Sequence, residues 1–261
     1  GAVNDIPVQS GTAPTAISVL EDSANSTAVT LSMGNLAYGP GGGSDESSQT
    51  LTYTITAIPS FIQVFKADGT TQVNAGDVLL LTDLKGLTYK TIADLNGTGS
   101  LTWTVRDSGG TANGGIDTLN QSLSITVGAV NDIPVQSGTA PTAISVLEDS
   151  ANATAVTLGM GNLAYGPGGG SDEASQLLTY TITAIPAFIQ VFKADGTTPV
   201  IANDVLSLAE LQGLKYKTIS DANGTGNLTW TVRDNGGTSN GGIDTLNQSL
   251  SITVGAVNDI P

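Results

Sequence analysis

The heptapeptide Gly-Ala-Val-Asn-Asp-Ile-Pro begins at Gly1, Gly128 and Gly255, at spacings of 128 − 1 = 127 and 255 − 128 = 127 residues. Residues 1–127 and 128–254 differ at only 18 positions, most of them small exchanges such as Ser26 to Ala153. This repetition reduces the folding problem to one unit of 127 residues, long enough to bury its own core. It also predicts the organisation: linker 1–7, repeat 8–130, linker 131–134, repeat 135–257, and the start of a further linker at 258–261. A chain built this way is expected to be a segment of a longer string. The polar pair Asn-Asp at each boundary is the first place to look for chemistry.

Composition narrows that chemistry. The chain has neither cysteine nor histidine, which removes disulfides, thiolate metal sites, the usual general base and the usual ligand of zinc or copper. Eight Lys and Arg stand against 23 Asp and Glu, a net charge of −15. Nucleic acid and anionic membrane surfaces both require a basic patch, so neither is an expected partner. No apolar run approaches the ~20 residues of a membrane-spanning helix, and no signal segment is present, so any export signal would lie outside this sequence. Hard oxygen-binding cations remain.

The dominant period is two. In Leu51-Thr-Tyr53-Thr-Ile55-Thr-Ala57 apolar residues alternate with threonine, and Leu101-Thr-Trp103-Thr-Val105 and Leu123-Ser-Ile125-Thr-Val127 repeat the device. Such alternation places one strand face in a core and a hydroxyl face in water. Further strands are predicted at 16–20, 28–32, 61–66, 78–81 and 86–91, with a hairpin turn at Asp68-Gly69. Seven or eight short strands with almost no helical period predict an all-β chain of two tandem antiparallel β-sandwiches, end to end. One helical turn is expected at 208–212, where Ser207 and Glu210 have capping-box spacing; Thr82 is expected to cap the corresponding turn of the first copy. Trp103 and Trp230 read as core anchors.

Each 127-residue unit carries eleven carboxylates, mostly at strand ends. Asp68, Asp77 and Asp83 read as turn formers. Glu21-Asp22, Asp45-Glu46, Asp94, Asp107 and the linker pair Asn4-Asp5 are different, because strand-end loops of a sandwich gather at its two poles. Six to eight oxygens at ~2.3–2.6 Å around one point describe a Ca2+ site better than the strict octahedron of Mg2+. The glycine-rich 39–43 segment lacks the Lys-Ser/Thr of a phosphate loop and reads as a flexible loop. Asp94-x-Asn96-Gly97 begins like an EF-hand but lacks its later ligands. No catalytic constellation is visible.

Val-Asn-Asp-Ile-Pro resembles the linker of cadherin repeats and of the cadherin-like, calcium-dependent extender repeats of giant bacterial RTX-type surface adhesins. Leu20-Glu21-Asp22-Ser23 resembles the family's Pro-Glu-Asn segment. Ser44-Asp45-Glu46 resembles its Asp-x-Asp loop, Asp94 falls near its Asp-Arg-Glu ligands, and Val105-Arg106-Asp107-Ser-Gly-Gly resembles its Ala-x-Asp-x-Gly stretch. The resemblance implies cadherin- or Ig-like sandwiches with Ca2+ at the junctions. The central junction would draw on Glu21, Asp94, Asn131, Asp132, Asp172, Glu173 and Asp234. Asn4, Asp5, Asp45, Glu46 and Asp107 would form an N-terminal half-site, and Glu148, Asp221, Asn258 and Asp259 a C-terminal one. Asp22 and Asp149 stand in reserve. The linker has one Asp where cadherins have two or three, and the Arg-Glu after Asp94 is missing, so one or two ions per junction are expected.

These features predict a non-enzymatic, extracellular, monomeric spacer whose partners are adjacent repeats and calcium ions, holding a distal binding domain away from the cell in adhesion or biofilm formation. A carbohydrate- or protein-binding module using the threonine faces, and a homophilic adhesion domain, are the competing readings.

Overall fold

A computed structural model describes residues 3–258, and the chain divides into two compact units, the first running to Val130 and including Gly170–Asp172, the second comprising Asn131–Gly169 and the chain from Glu173 onward. In the first unit the strands are β1 (Val8–Gln9), β2 (Ile17–Leu20), β3 (Val29–Thr30), β4 (Tyr38–Gly39), β5 (Thr52–Ala57), β6 (Ile62–Phe65), β7 (Gln72–Val73) and β8 (Val78–Leu79). The short helix α1 (Leu81–Lys85) follows, then β9 (Thr88–Thr91), β10 (Gly97–Arg106) and β11 (Thr118–Gly128). One sheet has the order β2-β11-β10-β5-β8, the other β3-β9-β6-β7, and β1 pairs with β4 as a small ribbon.

The alternating segments form the sheets as their pattern demands. Tyr53 and Ile55 of β5, Leu101, Trp103 and Val105 of β10, and Leu123, Ile125 and Val127 of β11 are all buried, while the intervening hydroxyl residues are half-buried or exposed. They pack with Val64, Val73, Tyr89 and Leu31 into one core. The Trp103 ring is 1% exposed, and its indole N–H donates to the Tyr38 hydroxyl at 3.1 Å, which satisfies the one polar atom it buries.

The remaining pairings are antiparallel, except that β2 runs parallel to β11, from Ile17 opposite Ile125 to Leu20 opposite Gly128. The ladder extends one step further, with the Glu21 N–H donating to the Gly128 carbonyl at 3.0 Å. This parallel pair delivers Glu21 to the place where the chain leaves the sandwich. At the other end of the sheet, the Asp107 N–H donates to the Asp117 carbonyl at 3.0 Å and closes the β10–β11 hairpin.

The second unit repeats this plan with β12 (Val135–Gln136), β13 (Ile144–Leu147), β14 (Val156–Thr157), β15 (Tyr165–Gly166), β16 (Thr179–Ala184), β17 (Ile189–Phe192), β18 (Pro199–Val200), β19 (Val205–Leu206), α2 (Leu208–Gln212), β20 (Lys215–Thr218), β21 (Gly224–Arg233) and β22 (Thr245–Gly255). Its sheets are β13-β22-β21-β16-β19 and β14-β20-β17-β18.

Eleven strands per unit exceed the seven or eight expected, because β1, β4 and β7 are two-residue pairings too short to show a period. The predicted segments at 28–32 and 78–81 shrink to Val29–Thr30 and Val78–Leu79. Asp68 makes the predicted turn: its carboxylate accepts from the N–H groups of Thr70 and Thr71 and from the Thr71 hydroxyl, which holds its pKa far below the ordinary carboxylate value. Asp77 accepts from the Asn74 N–H, and Asp83 pairs with Lys66, so both serve locally as expected.

Ser207 does cap α2 in a full capping box with Glu210. Thr82, however, lies inside α1, and the N-cap is Leu80, which offers no oxygen to the free N–H groups of the first turn. The repeat period places Leu80 opposite Ser207, so the cap is simply missing from the first copy. Ser207→Ala is therefore expected to cost about 1 kcal/mol, and Leu80→Ser to gain a similar amount, since Leu80 is 70% exposed and buries little. Urea denaturation of the two single variants checks both signs.

Candidate functional site

Three segments meet at the N-terminal pole of the first unit: residues 3–7, the loop before β5, and the chain after β10. Asn4 joins them. Its Nδ2 donates to Asp107 Oδ1 and to the Ile116 carbonyl, each at 3.0 Å. Its Oδ1 accepts from Gln49 Nε2 at 2.8 Å, and its carbonyl accepts from the Ile116 N–H at 2.9 Å. Beside it, the Asp5 N–H donates to Glu46 Oε1 at 2.5 Å. The Asn-Asp pair is thus an integral part of the domain that follows it.

Glycine makes this approach possible. A Cβ built on Gly109 would lie 1.8 Å from Asn4 Oδ1, and one on Gly42 2.4 Å from Asp5 Oδ2. Gly41, at φ +111°, would place a Cβ 2.5 Å from the Ile6 carbonyl. The 39–43 segment, read from sequence as a flexible loop, begins as strand β4 and then wraps this part of the chain.

The electrostatics of the pole are unusual. Glu46 is 2% exposed and Asp107 4%. Glu46 Oε2, Asp107 Oδ2 and Gln49 Oε1 are enclosed and accept no hydrogen bond. The four ion pairs among the described residues are Lys66–Asp83, Arg106–Asp117, Lys193–Glu210 and Arg233–Asp244; none includes Glu46 or Asp107. Asp117 shows what a compensated acid looks like in the same region. The Thr118 hydroxyl and the Arg106 guanidinium bind its two oxygens and hold its carboxyl below the ordinary range. A buried carboxylate oxygen without such partners is costly unless something positive or proton-donating faces it. Beside Glu46 lies a cavity of about 210 Å³ lined by Asn4, Asp45, Glu46, Gln49 and Gly109. Among the described residues, no group of three or more carboxylates could hold a metal ion. A cation here would need amide, carbonyl or water oxygens as well, which Ca2+ accepts readily.

The second unit reproduces the arrangement. Asn131 Nδ2 donates to Asp234 Oδ1 at 3.1 Å and to the Ile243 carbonyl at 2.9 Å, and Asn131 Oδ1 accepts from Gln176 Nε2 at 2.8 Å. The Asp132 N–H donates to Glu173 Oε1. Asp234 Oδ2 and Gln176 Oε1 are again enclosed without a partner. Asp45 and Asp172 are exposed beside the buried Glu46 and Glu173.

The C-terminal pole gathers fewer of the predicted residues. Glu21, 1% exposed, accepts from the Val130 N–H at 2.7 Å through Oε1 and from Asn96 Nδ2 at 3.4 Å through Oε2. Burial pushes its carboxyl above the ordinary value, against the pull of those two hydrogen bonds. Glu148 likewise accepts from the Val257 N–H at 2.7 Å and from Asn223 Nδ2 at 3.4 Å. Asp94 and Asp221 adopt positive φ (59° and 58°) and are exposed, so the adjacent Asn96 and Asn223 make the contact instead. Asp22 and Asp149 accept from Asn25 and Asn152 in local turns. Asn258 is exposed, and Asp259 lies outside the described residues. Of the seven residues expected at the central junction, Glu21, Asp94 and Asp172 fall in the first compact unit, and Asn131, Asp132, Glu173 and Asp234 in the second.

Gln49 and Gln176 were not among the predicted residues. Neutral amides do not register in a search for carboxylates, although each stands three residues after the Glu and its N–H bonds back to that Glu carbonyl at 2.9 Å. A separate cavity of about 410 Å³ in the second unit, between Ile185 and Ala202, contains no ionisable side chain. No helix among the described residues is long and apolar enough to cross a membrane.

No family model matches the chain, and neither does any curated protein. Among solved structures it is similar to human protocadherin-24 EC1-2, at 17% identity over 98% of this chain and 100% of that one, with a TM-score of 0.39. Mouse protocadherin-24 EC1-3 gives 13% identity, 95% and 70% coverage, and a TM-score of 0.38. Human mucin-like protocadherin EC1-2 gives 14%, 96% and 99%, and 0.33.

The close approach at Gly109 yields a test. Gly109→Ala is expected to expel the Asn4 side chain, leave the core intact, and speed hydrogen exchange of the Ile116 amide by about tenfold or more, because its acceptor is the Asn4 carbonyl. Exchange measured by NMR alongside unchanged core protection would bear this out.

Proposed function

We propose that this chain is a run of non-enzymatic extender repeats from a large bacterial surface or secreted adhesin, and that Ca2+ fixes the linker segment to the N-terminal pole of each unit. The observation that carries the reading is the pair of buried carboxylate oxygens, Glu46 Oε2 and Asp107 Oδ2, that accept no hydrogen bond and, among the described residues, enter no ion pair.

A bound calcium ion supplies concentrated positive charge and room for many oxygens. The rest is done by the chain. Glu46 holds the Asp5 N–H with one oxygen and leaves the other free. Asp107 holds the Asn4 amide with one oxygen, together with the Gly109 N–H at 2.9 Å, and likewise leaves the other free. The same carboxylates that grip the linker are thus the ones that would grip the ion, so loading the site tightens the linker. A string of such units resists bending at its boundaries and keeps a distal domain away from the cell. Extracellular modules bind Ca2+ at roughly 10⁻⁴–10⁻³ M, a range suited to a secreted protein and not to cytosol.

At about 100 times its dissociation constant, an ion bound to the folded state alone stabilises it by about 2.7 kcal/mol per site. Ca2+ is therefore expected to raise the melting temperature of the chain and EDTA to reverse the rise, with the response lost in Glu46→Gln plus Glu173→Gln. Equal melting curves with Ca2+ and with EDTA would sink the proposal.

A further inference from the structure

We infer that Gln49, and Gln176 in the second unit, is a neutral oxygen ligand of the cation pocket, held in position by the linker asparagine; this rests on the calcium reading above. The starting point is which way two amides face. Asn4 Nδ2 touches only acceptors, Asp107 Oδ1 and the Ile116 carbonyl, so that end of the amide must be the nitrogen. Asn4 Oδ1 then faces Gln49 at 2.8 Å and must meet a donor, which makes the facing atom Gln49 Nε2. Turning Gln49 over would set two acceptors against each other at that distance.

With both amides fixed, Gln49 Oε1 is directed away from Asn4. It is fully enclosed and accepts nothing. The residue lines the same cavity of about 210 Å³ as Glu46, whose Oε2 is also enclosed and unpartnered although the side chain is 98% buried (2% exposed). Two enclosed oxygens without donors, on two residues that line one cavity, call for a single positive occupant. In the second unit the Asn131–Gln176 hydrogen bond has the same length, and Gln176 Oε1 is enclosed in the same way.

This assignment changes the part played by Asn4. Its oxygen is already taken by Gln49, so its side chain braces the site while the oxygen facing the ion comes from Gln49. A neutral ligand in place of a third carboxylate adds no charge to a pole that already buries two, which limits self-repulsion before the ion arrives and keeps affinity low.

The test uses the full 261-residue chain with Gln49→Met and Gln176→Met together, against Asn4→Ala plus Asn131→Ala, which remove the asparagine brace but keep the glutamine oxygens. Calorimetric Ca2+ titration is expected to show affinity reduced by about tenfold or more in the methionine variant, beyond any loss in the alanine variant. Eu3+ bound in place of Ca2+, with luminescence lifetimes compared in H2O and D2O, is expected to count one additional water per ion where the glutamine oxygen is gone. Apo melting curves establish that each variant folds. Should the methionine variant match the alanine variant in affinity, with the water count unchanged, Gln49 is a brace only and the ligand assignment falls while calcium binding stands. If the unaltered chain shows no saturable Ca2+ binding, both readings fall together.

Discussion

One asparagine amide organises the end of each domain. Asn4 and Asn131 each reach three separate pieces of chain: the strand-end aspartate, the loop carbonyl at Ile116 or Ile243, and the glutamine of the acidic loop. A side-chain hydrogen bond contributes only about 1 kcal/mol on its own. Here the several bonds form together, in a space kept open by Gly109 or Gly236, so removing the amide would leave several buried polar groups without partners at once. Aspartate in the same place would lose the donor that Asp107 requires and set two carboxylates face to face. Leucine would satisfy none of them.

The rest of the sandwich serves to hold these contacts in register. β10 carries ten residues from Gly97 to Arg106, so at ~3.4 Å per residue it spans roughly 30 Å between the Glu21 end and the Asp107 end. β11 returns over the same distance and hands the chain to Val130, whose N–H the Glu21 carboxylate receives. Each unit therefore grips the linker at both ends by different means, through an amide relay at entry and through a buried glutamate at exit.

Much of this was legible beforehand, and the reasons it was or was not are physical. The period-two segments at Thr52–Ala57 and within β10 and β11 are long enough for alternation to show, and Trp103 and Ile55 lie where that alternation puts them. Two-residue pairings such as Val8–Gln9 with Tyr38–Gly39 carry no period, so only tertiary contact makes them visible. The acids of the N-terminal pole could be chosen because carboxylates at strand ends are conspicuous and linked to the Asn-Asp pair by a recognisable pattern. Gln49 could not, since its importance comes from an orientation forced by Asn4. Asp94 was chosen as a strand-end carboxylate near the family's ligand pattern; it is exposed with a left-handed backbone, and the contact of Asn96 with Glu21 could not be read from sequence. Thr82 was chosen as a cap by residue type, while the N-cap falls two residues earlier, at Leu80.

The pairing of β10 with β11 has a mechanical meaning. The chain leaves each unit along the direction of its last strand, and ten residues of β10 lie opposite that strand from Gly97–Val127 to Arg106–Thr118. Tension drawn through Gly128 therefore runs parallel to the strands and slides them past each other, so the cross-strand bonds share the load instead of opening one after another like a zip. On its other side the parallel strand β2 is loaded in the same sense. A unit pulled in this way would fail by breaking a whole ladder, not by fraying from its end.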